Sequence, residues 1–188
     1  MDPELPKKQR LFIALYPEVS VRKQLHRLTK DLVIATGGRP VPSSNLHLTL
    51  RFLGALDEAE QACVIKNLDL IQGQGFMLQF VAIEHRKRQQ MLWAVAADLP
   101  DALSRLVGEI ERSSIDCGLS ASDHAFRPHV TLARKVRKKV QPQAIEVLET
   151  RIEEFCLVRS ETLPEGSQYT KLKSWSLDIE DCKKNGPT

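Results

Sequence analysis

The sequence predicts a bilobal, pseudo-symmetric α+β fold with mostly antiparallel sheets and a central cleft. Three observations carry this. The tetrapeptide His47-Leu48-Thr49-Leu50 recurs 82 residues later as His129-Val130-Thr131-Leu132. The two copies fall near the midpoints of the two halves of the chain. Strand-like and helix-like stretches follow the order β-α-β-α-β-β-α-β-β-β, and several connections are short, which favours antiparallel pairing.

Arg10–Tyr16 (RLFIALY) reads as a buried strand. A helix is expected from about Glu18, with Val21, Leu25, Leu28 and Leu32 on one face and Gly37-Gly38 ending it. Leu46–Leu53 is the first motif strand, closed by Gly54. Asp57-x-x-Glu60 has the form of a capping box and opens a helix carrying Val64, Leu68 and Ile71. Phe76–Glu84 and Met91–Ala97 form a strand pair around the basic turn Arg86–Arg88. Pro100 starts a helix with Leu103, Leu106, Val107 and Ile110, which stops at Gly118. After the polar loop Ser120–Pro128, His129–Ala133 is the second motif strand. Ile152–Arg159 and Tyr169–Ile179 are the final strands, joined through Pro164-Glu165-Gly166. Residues 1–9 are expected to be flexible, 10–179 to form one bilobal catalytic domain, and 180–188 to be a flexible tail.

Composition is that of a globular chain: 188 residues, 42% hydrophobic and 27% charged. No apolar run reaches membrane-spanning length, so no membrane partner is expected. The polar stretch Met1–Arg10, with two prolines, does not read as a signal peptide. The four cysteines (Cys63, Cys117, Cys156, Cys182) are scattered without a Cys-x-x-Cys pair. That spacing predicts reduced thiols in the cytoplasm, not a disulfide frame or a zinc site. Net charge is only +3, yet the cations cluster at Arg86-Lys87-Arg88 and at Arg134–Lys139. Such runs are often solvated loops, but the position of the second beside a motif favours steering of a polyanion.

In a strand, side chains alternate faces. His47 and Thr49 then share one face, as do His129 and Thr131, while Leu48, Leu50, Val130 and Leu132 turn inward. Two imidazoles and two hydroxyls aimed into one cleft are the equipment for acid–base chemistry on a phosphate. A lone strand histidine is more often structural than catalytic, but two copies in matching contexts are hard to ascribe to chance. His26, His85 and His124 have no such setting and read as ordinary helix, turn and loop residues. Zinc is disfavoured because neither motif supplies a second ligand at metal-binding spacing. No glycine-rich phosphate loop or serine nucleophile elbow competes for the role.

From Arg10 to Leu177 the chain resembles the two-histidine (2H) phosphoesterase superfamily, above all its bacterial RNA 2′,3′-cyclic phosphodiesterase branch, historically called 2′-5′ RNA ligase. The resemblance rests on RLFIAL at Arg10–Leu15, GRPV at Gly38–Val41, NLHLTLRFLG at Asn45–Gly54 and FRPHVTLAR at Phe126–Arg134. Tyr169-Thr170-x-Leu172 and Trp175 continue it. It implies a bilobal cleft and hydrolysis of RNA or nucleoside 2′,3′-cyclic phosphates to 2′-phosphates without a cofactor or metal. His47 is then the proton donor to the departing O3′, and His129 the proton acceptor from water. Thr49 and Thr131 donate to non-bridging oxygens, and Arg134 lies near the phosphate, although strand alternation places it on the other face. Phe52 and Tyr169 flank base or sugar. The residues alone leave the acid–base assignment open. The alternatives are 2′-5′ ligation by reversal, a small cyclic-nucleotide phosphodiesterase, or a non-catalytic RNA-binding module. A cytoplasmic monomer is expected.

Overall fold

The computed structural model describes residues 8–123, 125–164 and 166–178. His124, Glu165, most of the expected N-terminal segment and the expected tail fall outside them. The strands are β1 (Gln9–Leu15), β2 (Arg39–Pro40), β3 (Leu48–Leu56), β4 (Phe76–Arg86), β5 (Met91–Ala96), β6 (His129–Arg134), β7 (Gln143–Ile152), β8 (Glu154–Leu163) and β9 (Gly166–Ser176). The helices are α1 (Val19–Thr36), α2 (Glu58–Leu68) and α3 (Asp101–Ile115).

Two sheets result, with strand orders β3-β1-β8-β9 and β2-β6-β5-β4-β7. Every pairing between named strands is antiparallel. Each sheet carries one motif strand, as the repeated tetrapeptide predicts. The sheets are not sequential halves, however. β2, from the first half, pairs with β6, and β8 returns to β1 with β9 on its outer edge. The helices cross as well: α1 packs against β2, β6 and β7, and α3 against β3 and α2. This interleaving gives one continuous core, running from Ile13 and Leu48 to Phe80, Val130 and Trp175.

Local signals decide most boundaries. The capping box of α2 forms in full: the Glu60 N–H donates to Asp57 Oδ1 and the Asp57 N–H to Glu60 Oε2, both at 2.9 Å. Gly37 takes φ +71° and its N–H donates to the Val33 carbonyl, ending α1. The buried stripe of α1 differs from expectation. It is Val21, Leu25, Thr29, Val33 and Thr36, while Leu28 is exposed. Thr29 can lie inside because its hydroxyl donates to the Leu25 carbonyl at 2.7 Å.

Two strands were not predicted. β2 is two residues long. β7 is an edge strand paired only with β4, and its charged, exposed positions hide the strand pattern. The final strands also shift, to Glu154–Leu163 and Gly166–Ser176. The cysteine expectation is overturned: Cys63 and Cys117 form a disulfide that fastens α2 to the end of α3. The pair is 54 residues apart, so no local spacing announces it; helix packing brings the thiols together. Cys156 is free and buried.

Candidate active site

The two motif strands approach each other across the interface of the sheets. On each, the tetrapeptide alternates as expected: Leu48, Leu50, Val130 and Leu132 are buried, while His47, Thr49, His129 and Thr131 face the cleft, half-buried. Beyond each threonine the strand bulges. Thr49 pairs with Ala14 and Arg51 with Ile13, leaving Leu50 as an extra residue. Thr131 pairs with Trp93 and Ala133 with Leu92, leaving Leu132 extra. A bulge inserts one residue and flips the facing of those that follow. Leu50 and Arg51 therefore both point inward, as do Leu132 and Ala133. Phe52 and Arg134, which simple alternation would turn away, rejoin the face of the histidines. Both are exposed.

Each imidazole is held in the same way. His47 Nδ1 lies 2.7 Å from the Asn45 carbonyl, and His129 Nδ1 lies 2.7 Å from the Arg127 carbonyl. A carbonyl only accepts, so Nδ1 carries the proton and Nε2 of the neutral ring is the free acceptor. Burial pushes His47 down to about 4; the Asn45 carbonyl opposes this, and the charges of Arg134 and His129 add to it. Burial also lowers His129, opposed by the Arg127 carbonyl and reinforced by Arg86 and Arg127. Both rings are thus neutral near pH 7 in the free protein, and a charge on His129 would lower His47 further.

The two lobes dress their histidines differently. In the first, His47 sits among Phe12, Tyr169 and Tyr16, with ring centroids 4.8, 5.0 and 5.8 Å away. Phe12, Ala14, Cys156 and Val158 form a small apolar floor beneath, separate from the main core. Burial raises the Tyr16 phenol to about 12, and Lys171 Nζ lies 4.5 Å from its ring centroid. In the second lobe, His129 stacks on Trp93 with centroids 3.5 Å apart and an 18° tilt. Arg86 lies over the same indole, and Glu84 pairs with both Arg127 and Arg86.

The structure thus places His47, Thr49, Phe52 and Tyr169 on the cleft side of the first sheet, and His129, Thr131 and Arg134 on that of the second. Phe52 reaches the cluster through Phe12, at 6.1 Å. The basic loop after β6 is anchored: Val136 is fully buried, and its N–H donates to the Gln90 carbonyl. His85 bridges the Val136 carbonyl and the Val140 N–H, so it is structural, as is His26 beside the Val41 carbonyl. The sequence reading missed Phe12, Tyr16, Trp93, Glu84 and Arg127. Phe12 and Tyr16 share alternate positions in a strand apolar on both faces, so periodicity alone could not single them out. Arg127 was within reach of a signal, because it stands two residues before a motif histidine as Asn45 does.

Comparison with known proteins agrees with this geometry. Residues 17–163 match the 2′-5′ RNA ligase superfamily. The chain is 29% identical to the RNA 2′,3′-cyclic phosphodiesterase of Escherichia coli K12, covering 90% of this chain and 97% of that protein. It is 32% identical to the protein of the same name from Thermus thermophilus, covering 89% and 90%. The crystal structure of E. coli LigT complexed with 3′-AMP superposes with a TM-score of 0.83 at 28% identity, over 90% of this chain and 98% of that one.

Proposed function

This chain belongs to the 2′-5′ RNA ligase superfamily, and we propose that it hydrolyses the 2′,3′-cyclic phosphate ends of RNA by acid–base catalysis between His47 and His129. The observation that carries the reading is the matched pair of imidazoles, each fixed through Nδ1 by a carbonyl 2.7 Å away with Nε2 left for chemistry. The names of the relatives favour hydrolysis over the reverse ligation.

The anionic cyclic phosphate lies between the two rings and draws a proton onto His47, offsetting the burial that keeps that ring neutral in the free protein. His129 Nε2 takes a proton from water as the water oxygen attacks phosphorus. The P–O3′ bond breaks, and His47 Nε2–H delivers its proton to O3′, leaving a 2′-phosphate. Thr49 and Thr131 donate to the non-bridging oxygens, and Arg134 offsets the charge gathering on them. Phe52 and Tyr169 present aromatic surface to base or sugar. The enzyme works as a monomer.

Among the described residues no helix is long and apolar enough to cross a membrane. We place the enzyme in the cytoplasm with its RNA substrate. The Cys63–Cys117 disulfide is the feature that argues for a more oxidising setting, and the mass of protein alkylated at lysis decides between them. The function itself is tested by incubating the protein with a nucleoside 2′,3′-cyclic phosphate in EDTA and identifying the product. Formation of the 2′-monophosphate is expected; no turnover, or the 3′ isomer, overturns the assignment.

A further inference from the structure

The two halves of the cleft are near copies in backbone, motif and bulge, but not in what lies beside the threonines. Ala14 stands opposite Thr49, whereas Trp93 stands opposite Thr131. Where the first lobe has only the Ala14 methyl, the second has an indole, and it lies flat against the second imidazole, 3.5 Å between centroids. Arg86 sits 4.6 Å from the indole centroid. Glu84, directly across from Trp93 on β4, holds Arg127 at 2.7 Å and Arg86 at 3.6 Å. Arg127 in turn supplies the carbonyl that accepts from His129 Nδ1. One carboxylate thus ties together both supports of the imidazole.

We infer that Trp93 and Glu84 are positioning residues for His129, the indole fixing the plane of the ring and Glu84 fixing the two arginines that frame it. The inference rests on the proposed role of His129 as proton acceptor. A ring bonded only through Nδ1 keeps freedom to swing about that bond. A face-to-face partner removes it, so Nε2 points in one direction. When His129 accepts the proton from water it becomes a cation, which the indole face also favours. Packing alone does not account for tryptophan here: its Nε1 is buried without an acceptor among the described residues, a cost that phenylalanine would avoid. The charges acting on His129 are those of Arg86 and Arg127, both paired with Glu84, while Arg134 and His129 itself act on the facing ring of His47. Without Glu84 the two nearby arginines stand uncompensated.

The test combines kinetics on a nucleoside 2′,3′-cyclic phosphate with nitrogen-15 histidine NMR. Trp93→Leu is expected to lower kcat by about 10- to 100-fold with KM nearly unchanged, the scale of a misplaced catalytic group. Trp93→Phe, which keeps a flat ring, is expected to recover most of that loss. The His129 ring protons are shifted upfield by the indole in the wild type and lose that shift in Trp93→Leu. Glu84→Gln is expected to move the limb of kcat/KM that His129 controls to lower pH, because the arginines then repel the imidazolium. It gives an answer even if Trp93→Leu fails to fold. Wild-type kcat in Trp93→Leu, equal losses in the Leu and Phe variants with an unchanged His129 spectrum, or an unmoved limb in Glu84→Gln would each overturn the inference. If the ring-current shift is present but His129→Ala keeps wild-type turnover, the proposed role of His129 fails and the stack is real without it.

Discussion

Phe52 and Arg134 occupy equivalent places in the two lobes. Each stands five residues after a motif histidine, and each is turned onto the cleft face by a one-residue bulge just past the motif threonine. The same backbone device delivers an aromatic ring on one side and a guanidinium on the other. Their substitutions should therefore fail differently. Phe52→Ala is expected to raise KM several-fold with kcat little changed, as for loss of uniform binding. Arg134→Gln is expected to lower kcat as well, because the developing charge on the phosphoryl oxygens loses a cation. Steady-state kinetics on one nucleoside cyclic phosphate separates the two; identical KM-only effects would show that Arg134 does not touch the transition state.

That bulge marks where the sequence stopped being legible. Alternation correctly assigns the faces of His47 through Leu50 and of His129 through Leu132, because within those residues the strand period is two. It then misplaces Arg134 by one face, since nothing in Leu132-Ala133 announces an extra residue. The core strands β1, β3 and β6 and the α2 cap were readable from local chemistry. The interleaved topology was not, because the return of β8 to β1 is a long-range pairing with no local sequence signal. The disulfide between Cys63 and Cys117 was hidden for the same reason. Trp93 could be placed in a strand, but only the register β5–β6 puts it under His129.

His47→Ala and His129→Ala should each lower kcat by about 10²- to 10⁴-fold, the usual worth of a general acid or base. The double substitution should lose much less than the product of the two, because the rings act as one unit. Far-ultraviolet circular dichroism should remain unchanged, since both rings face the cleft and not the main core. Near-wild-type turnover in either single variant would refute the two-histidine mechanism.

Burial lowers both imidazoles, with His47 at about 4. Two consequences have definite signs. The kcat/KM profile, which reports the free enzyme, should be a bell lying on the acid side of pH 6.5 and falling as pH rises through neutrality. The kcat profile should sit at higher pH, because the bound phosphate stabilises imidazolium. Stability follows the opposite course. His47 is neutral in the fold and protonates more readily when unfolded, so its contribution is full above about pH 6.5 and is lost as pH falls towards 4. The loss amounts to at most about 3 kcal/mol for a shift of this size. Urea unfolding of wild type and His47→Asn between pH 4 and 7 checks it; parallel curves would remove His47 from the account.

Arg51 follows Thr49 by two residues, yet its side chain is buried. It donates to Glu111 on α3, to the Ser122 hydroxyl and to the Ser120 carbonyl. The residue thereby braces the first motif strand against the loop that leads to the second. Removing one member of a buried ion pair leaves the other uncompensated. Arg51→Ala should therefore cost about 3 kcal/mol, the lower end for buried pairs because Glu111 is partly exposed. Arg51→Met combined with Glu111→Leu should cost less than Arg51→Ala alone. Denaturant midpoints of the three proteins decide it, and an Arg51→Ala midpoint equal to wild type would show the network to be idle.

The basic loop after β6 gives the last test. Lys135, Arg137, Lys138 and Lys139 are exposed, while Val136 between them is buried and bonded to Gln90, so the cations are presented from a fixed point. The loop starts beside Arg134, whose charge already reaches His47. Held there, the four cations can meet phosphates of an RNA strand beyond the reacting one. Such interactions add affinity by releasing counterions and do not read sequence. Neutralising the four together should weaken binding of an RNA oligomer ending in a cyclic phosphate. It should also flatten the dependence of that binding on salt, by about 0.7 in log–log slope for each phosphate of a single strand that is no longer neutralised. Turnover of a mononucleoside cyclic phosphate, which has no flanking phosphates, should stay within about twofold of wild type. Arg134 is left in place because its proposed role is on the reacting phosphate itself. If RNA affinity and salt slope are the same in both proteins, the cluster is a solvated loop and RNA is held by the cleft alone.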